Sequence, residues 1–306
     1  MESPAVPGLE LHRAASDADL EAIIAVRVAG EPDRPPPRIE NMQHNLARQE
    51  GLVYVLARLA GEPVGSGFVH PWPREHADAQ LLVVPEARGR GVGSAILAYI
   101  GASARAAGKN KLQGEVRETD RESRAFFERR GYRVVGGEQA VVLDLAGAGA
   151  PVPLPPPGIQ IVLLQQRPEL AEGLFPIGLE ASEDIPGTQG TLTFELWRWF
   201  ELDRPTRDPS LFFVALAGDE PVGYAAIERV FGRDAYHGLT AVRRGWRRRG
   251  VATALKQAQI AALKERGFRR LVTSNEERNL AMRELNEKLG YRPEPALSSL
   301  VIQGPA

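Results

Sequence analysis

Two arginine–glycine runs in this chain could hold a multiply charged anion. Arg88-Gly89-Arg90-Gly91-Val92-Gly93-Ser94 returns as Arg247-Arg248-Arg249-Gly250-Val251-Ala252-Thr253, 159 positions later. Glycines let successive backbone N–H groups turn into one concavity. A helix starting there adds unpaired N–H groups and partial positive charge, and the arginines add fixed charge. That combination suits a diphosphate. The glycine spacing is not that of a dinucleotide-binding fold, and the Gly-Lys-Ser/Thr of a P-loop is absent from both runs.

The elements that must position these loops also repeat. A strand, Ala79–Val84, precedes the first loop and a helix, Gly93–Gly108, follows it; Tyr236–Val242 and Val251–Gly267 do the same for the second. Upstream of each lies a hairpin, Leu52–Leu59 with Val64–His70 and Leu211–Ala217 with Val222–Val230. Pro63-Val64-Gly65 returns as Pro221-Val222-Gly223 and Gly131-Tyr132-Arg133 as Gly290-Tyr291-Arg292. Such regularity marks a duplicated domain. In the first half Leu9–Arg13 opens, Ser16 caps a helix through Val28, Asn41–Gln49 makes another, and Leu112–Val116, Arg121–Arg130 and Tyr132–Leu145 follow the loop helix. In the second half Gln160–Leu164 opens, and Arg270–Thr273, Asn279–Leu289 and Ser298–Ile302 complete the order. The expected fold class is α/β: two tandem domains, each a mixed, mostly antiparallel sheet with one parallel splay, flanked by helices. The expected domains are 1–145 and 159–306, joined by a Gly/Ala/Pro linker at 146–158.

Composition narrows the function classes. The 306 residues carry 43% apolar and 25% charged side chains, enough for two cores. A net charge of −1 provides no basic field for nucleic acid or an anionic membrane. With no cysteine there is no disulfide, no thiolate metal site and no cysteine nucleophile. The five histidines (His12, His44, His70, His76 and His237) show no metal-ligand spacing, so no metal is expected. No secretory signal is visible and no apolar run is long enough to span a bilayer, so the expected location is cytoplasmic.

The pattern Arg-x-x-Gly-x-Gly/Ala after a strand ending Val-x-Pro resembles the acyl-CoA loop of the GNAT acetyltransferase superfamily. Glu115-Val116, Phe126-Phe127 and Gly131-Tyr132 continue that style in the first half. Thr240-Ala241-Val242, Thr273-Ser274-Asn275, Asn279, Met282, Asn286 and Leu289-Gly290-Tyr291 in the second resemble a branch of tandem proteins that includes mycothiol synthase-like enzymes. The resemblance implies acetyl-CoA, or a related acyl-CoA, as cofactor. Its pantetheine arm would pair with backbone near Val83 and Val242 in a V-shaped opening between parallel strands. Its phosphates would rest on Arg88, Gly89, Arg90, Gly91, Val92, Gly93 and Ser94, and on Arg247, Arg248, Arg249, Gly250, Val251, Ala252 and Thr253, with Asn279 nearby. It implies acetyl transfer to a primary amine, here expected on a small molecule. The alternatives are a non-catalytic acyl-CoA binder and a protein N-acetyltransferase. A monomer with an internal pseudo-dimer, or a homodimer, is the expected assembly.

Two departures bear on catalysis. Many members carry Asn where this chain has Asp120, and a Tyr that protonates the leaving thiolate where it has Phe127; the second half keeps Asn279 but has Asn286 at the Tyr position. A thiol of pKa about 8.5 is a fairly good leaving group, so loss of that acid need not abolish turnover, and the acid is left unassigned. Glu228 and Asp184 are the candidate bases in the second half, which is the favoured catalytic half, and Glu115 is the match in the first. Asp184 falls in Glu183-Asp184-Ile185-Pro186, read as part of a loop before the hairpin.

Overall fold

A computed structural model of the chain describes residues 6–71, 75–147, 153–184, 192–276 and 279–306. Part of the expected linker, 148–152, lies outside the described residues, as do Ile185 and Pro186. Two compact units are present, one of residues 1–136 with 299–306 and one of residues 137–298.

The first unit runs β1 (Leu9–Arg13), α1 (Asp17–Gly30), α2 (Ile39–Arg48), β2 (Val53–Leu59), β3 (Glu62–His70), β4 (Ala77–Val83), α3 (Val92–Ala106), β5 (Lys111–Arg117) and α4 (Arg121–Glu128), and β6 (Arg133–Asp144) begins in it. Its sheet order is β1-β2-β3-β4-β5, antiparallel except for the parallel pair β4–β5. Alternation along β2 explains its two cores. Val55 and Ala57 face Ile96, Ile100 and Ala104 of α3, while Tyr54 and Leu56 face Leu20 and Ile23 of α1 and Met42 of α2. The α1 start is specified locally: Ser16 Oγ accepts from the Asp19 N–H at 3.2 Å and Asp19 Oδ2 accepts from the Ser16 N–H at 3.3 Å, a capping box.

The second unit runs β7 (Ile159–Leu163), α5 (Ala171–Glu183), α6 (Phe194–Glu201), β8 (Phe212–Ala217), β9 (Glu220–Phe231), β10 (Asp234–Val242), α7 (Val251–Glu265), β11 (Arg270–Glu276), α8 (Leu280–Lys288) and β12 (Arg292–Pro293). The same alternation recurs: Phe213 and Ala215 of β8 pack with α7, and Phe212, Val214 and Leu216 pack with Leu174 and Ile177 of α5 and Trp197 of α6. Glu183, expected in a loop, ends α5, and Asp184 caps it.

The sheets close differently from the sequence repeat. Ser298–Ile302 was expected to finish the second half. Instead β13 (Ser299–Pro305) pairs antiparallel with β5 of the first unit, from Ser299–Arg117 to Pro305–Lys111. Residues Glu138–Asp144 of β6, expected to finish the first half, pair with β11 of the second unit. Among the described residues no helix is long and apolar enough to cross a membrane.

Candidate active site

Both arginine–glycine runs build the same turn. After β4 ends at Val83, one turn of 3-10 helix over Pro85–Ala87 leads to Arg88, and Gly89 (φ 73°) and Gly91 (φ 87°) take the left-handed conformation. In the second copy Arg248 (φ 61°) and Gly250 (φ 86°) hold the same two positions. The helices α3 and α7 then begin without a side-chain cap. The N–H groups of Val92, Gly93 and Ser94, and of Val251, Ala252 and Thr253, are therefore left for a ligand. The Val92 and Val251 side chains are core, so these residues can contribute only backbone. Arg88 Nε donates to the Val83 carbonyl at 3.2 Å and Arg247 Nε to the Val242 carbonyl at 2.9 Å, tying each guanidinium to its strand end.

In the first unit β4 and β5 pair only at Ala77–Leu112 and Asp78–Gln113, then diverge. The split opens on a cleft of about 870 Å³ lined by Val83, Arg88, Gly91, Ser94, Glu115, Phe126 and Arg130, among others. Glu115 on β5 is exposed to it, and its Oε2 accepts from Ser299 Oγ of β13 at 3.0 Å. Arg130 was not anticipated from sequence. Its Nη2 donates to Ser94 Oγ at 2.7 Å, its Nη1 to the Phe126 carbonyl at 2.8 Å, and its guanidinium lies 3.7 Å from the Phe126 ring centroid. The signal was the Arg129-Arg130 doublet after α4, directly before Gly131. Another wall carries Glu31, which pairs with Arg27 at 3.5 Å and with Arg34 and Arg117 at 3.8 Å.

A glycine turn and an uncapped helix thus recur in two units, and the family model for the acetyltransferase (GNAT) family matches residues 20–132 and again 179–291. The chain belongs to the GNAT family. It is a tandem GNAT acyltransferase, and its two matched segments lie at the offset of the loops. A tandem GNAT protein from the clavulanic acid biosynthesis pathway, solved without acetyl-CoA, shares the fold with TM-score 0.79 and 23% identity over 97% of this chain and 98% of its own. A GCN5-related N-acetyltransferase from Sphaerobacter thermophilus gives TM-score 0.71 and 22% identity over 98% and 96%. A putative acetyltransferase from Pyrococcus horikoshii gives 0.64 and 15% over 100% and 92%. No curated protein matches the chain.

The remaining candidates of this tandem GNAT protein carry other contacts. Asn279 Oδ1 accepts from the Met282 N–H at 3.3 Å and caps α8, as Asp120 caps α4 by accepting from the Ser123 N–H at 2.9 Å. Glu228 Oε1 accepts from Arg204 Nη1 at 2.9 Å. Asp184 pairs with Arg247 at 2.7 Å and Arg244 at 3.5 Å, Glu183 with Arg244 at 2.8 Å, and Glu180 accepts from the Arg244 N–H at 2.7 Å. Arg243 pairs with Glu220 and Arg249 lies 5.1 Å from the Trp246 ring centroid. The arginine crowd of the second loop is thus largely engaged by its own unit, whereas the described residues place no carboxylate on Arg88. Phe127 meets Phe126 and Tyr132 edge-on, each with centroids 5.1 Å apart, where a tyrosine hydroxyl was missing from the sequence. Tyr132 Oη donates to the Pro305 carbonyl at 2.9 Å, and burial pushes its pKa up to about 12.

Proposed function

We propose that this protein transfers an acetyl group from acetyl-CoA to a primary amine of a small molecule, and that the first unit holds the acyl-CoA. The observation that carries this reading is the first loop itself: an uncapped helix start, two left-handed glycines and an Arg88 with no carboxylate partner among the described residues, all opening on the split between β4 and β5. A cleft of about 870 Å³ lies in the range of small-molecule sites. When bound, acetyl-CoA supplies the acyl group as an activated thioester. Arg88, Arg130 and the N–H groups of residues 92–94 would hold its phosphates. Glu115 is the base that faces the cleft, with Ser299 fixing one carboxylate oxygen and leaving the other for the proton of an incoming ammonium. Much of the rate then comes from positioning two substrates in one cleft.

A second reading keeps the chemistry in the second unit. Pairing of β9 with β10 is interrupted between Tyr236 and Thr240, whereas β3 and β4 pair continuously from Gly65–Val83 to His70–Asp78. Such a bulge frees backbone groups beside a strand split, where they can polarise a carbonyl.

Gly91→Glu and Gly250→Glu separate the two. Each forces a side chain onto a left-handed position and puts a carboxylate at the anion site. Calorimetry with acetyl-CoA, combined with thiol release over a panel of amines, is the measurement. The first reading expects Gly91→Glu to lose at least tenfold in affinity together with turnover, and Glu115→Gln to lower kcat by about 10²-fold with folding unchanged. If Gly250→Glu alone abolishes turnover, catalysis belongs to the second unit. Tight acetyl-CoA binding with no acceptor-dependent thiol release for any amine or protein would instead identify a non-catalytic binder.

A further inference from the structure

The two units differ most where their strands part. In the second unit β10 and β11 pair in parallel only over Asp234–Tyr236 and Arg270–Val272. Buried in this unit are His237 on β10, Lys256 and Gln259 on α7, Asn275 on β11, Asn286 on α8, and Tyr291, none more than 7% exposed. Lys256 Nζ is 3.4 Å from His237 Nε2 and 5.3 Å from the Tyr291 ring centroid, and Asn286 Nδ2 donates to Asn275 Oδ1 at 3.2 Å. Lys256 and Gln259 are one turn apart on the same helix, so both face inward.

The first unit fills the same positions with hydrocarbon. Lys256, Gln259, Asn275 and Asn286 stand where the first copy has Leu97, Ile100, Val116 and Phe127, and all four of those pack in its core. The tyrosine is kept, but Tyr132 Oη has the Pro305 carbonyl as partner, whereas Tyr291 Oη has none among the described residues. Also without a partner among the described residues are both polar atoms of the Gln259 side chain, Asn275 Nδ2 and Asn286 Oδ1. A buried polar atom left unpaired is destabilising, and native folds rarely gather several in one place. Lys256 is also buried with no carboxylate against it among the described residues, and burial draws its pKa down to about 7. Its neighbour His237 offers no countercharge, since an imidazole is either neutral or cationic; burial, and then the Lys256 charge, push it toward its neutral form.

We propose that this cluster of buried polar groups binds a carboxylate group, with Lys256 as countercharge and Asn275, Gln259 and Tyr291 as hydrogen-bond donors. The free acceptors, Asn286 Oδ1 and Gln259 Oε1, suit a hydroxyl or N–H next to that carboxylate on the ligand. The group can arrive on a small free acid or at the far end of a dicarboxylic acyl chain carried by CoA. The first unit, apolar at the same positions, would not take either one.

The test uses the full chain. Calorimetry and thermal shift with succinate, malate, succinyl-CoA and acetyl-CoA are compared for the wild type, Lys256→Met and Gln259→Leu. The wild type is expected to bind at least one carboxylate-bearing probe tenfold or more tighter than either variant does, while acetyl-CoA affinity at the first loop stays the same in all three. Binding of free succinate or malate would identify a small-acid site; binding of succinyl-CoA alone would place the carboxylate on the acyl chain. If no carboxylate probe binds, or if both variants bind as the wild type does, the proposal fails. Acetyl-CoA binding is read separately, so the acetyltransferase assignment stands or falls independently.

Discussion

Lys256 concentrates the difference between the two copies in a single side chain. In the folded chain its pKa is about 7 against an ordinary 10.5. Between those values the unfolded chain holds more protons than the folded one, so this residue makes stability rise with pH across that window. Below about pH 7 its full penalty is present, and above about 10.5 it is gone. Lys256→Met should therefore stabilise the second unit most at pH 6, less at pH 8 and very little at pH 10. Urea midpoints at these three values check it, and a difference that does not change with pH would refute a buried uncompensated amine. A second residue contrast is gentler. Arg248 holds the left-handed position that Gly89 holds in the first copy. A side chain there costs roughly 1–2 kcal/mol, partly offset by the unfolded-state entropy that glycine adds. Arg248→Gly is expected to raise second-unit stability by up to about 1 kcal/mol, read from the same midpoints.

At the scale of elements, the end of α5 decides how open the second loop is. Glu180, Glu183 and Asp184 lie against Arg244 and Arg247 of the loop proposed to hold a diphosphate. The Asp184 and Arg247 side chains are 44% and 34% exposed, so the pair contributes little, at most about 1 kcal/mol. It competes with a phosphate without excluding it. In a chain whose first loop is disabled by Gly91→Glu, the pair of changes Glu183→Gln and Asp184→Asn should tighten acetyl-CoA binding at the second loop by about three- to tenfold. A weaker affinity would mean that Asp184 serves to position Arg247. This contact could not be read from the sequence, because α5 itself was not legible. Pro176 inside it removes a helical N–H, and Gly173 and Gly178 lower its propensity. Gly178 is there for packing: a Cβ on it would come within 2.2 Å of Trp197 Nε1. The hairpins, α3 and α7 were legible because alternation, turn residues and the repeated loop all agreed. Glu31, Arg34, Arg117 and Arg130 were not, because they reach the cleft from separate elements and share no spacing.

For the whole molecule, the chain end belongs to the unit that the chain begins. Both β6 and β13 follow a Gly-Tyr-Arg motif in the repeat and neither keeps a strict apolar–polar alternation, so no local feature names the sheet that each one serves. The first unit depends on β13 in several ways. Ile302 is buried in its core, Tyr132 donates to Pro305, Ser299 holds Glu115, the Ala306 N–H donates to the Asn110 carbonyl at 3.0 Å and Arg105 donates to the Ala306 carbonyl. Ile302 alone is worth about 2–5 kcal/mol by the cost of truncating a buried isoleucine to alanine, against a total near 5–15 kcal/mol for a domain. Removing residues 299–306 also leaves β5 an unpaired edge. The truncated chain should keep a second unit that melts near the wild-type temperature, while residues 1–136 become labile to proteolysis and acetyl-CoA binding at the first loop is lost. Hydrogen exchange resolved by segment distinguishes the two. Full protection of β2–β5 in the truncated chain would show that the first unit closes its sheet without the distant strand.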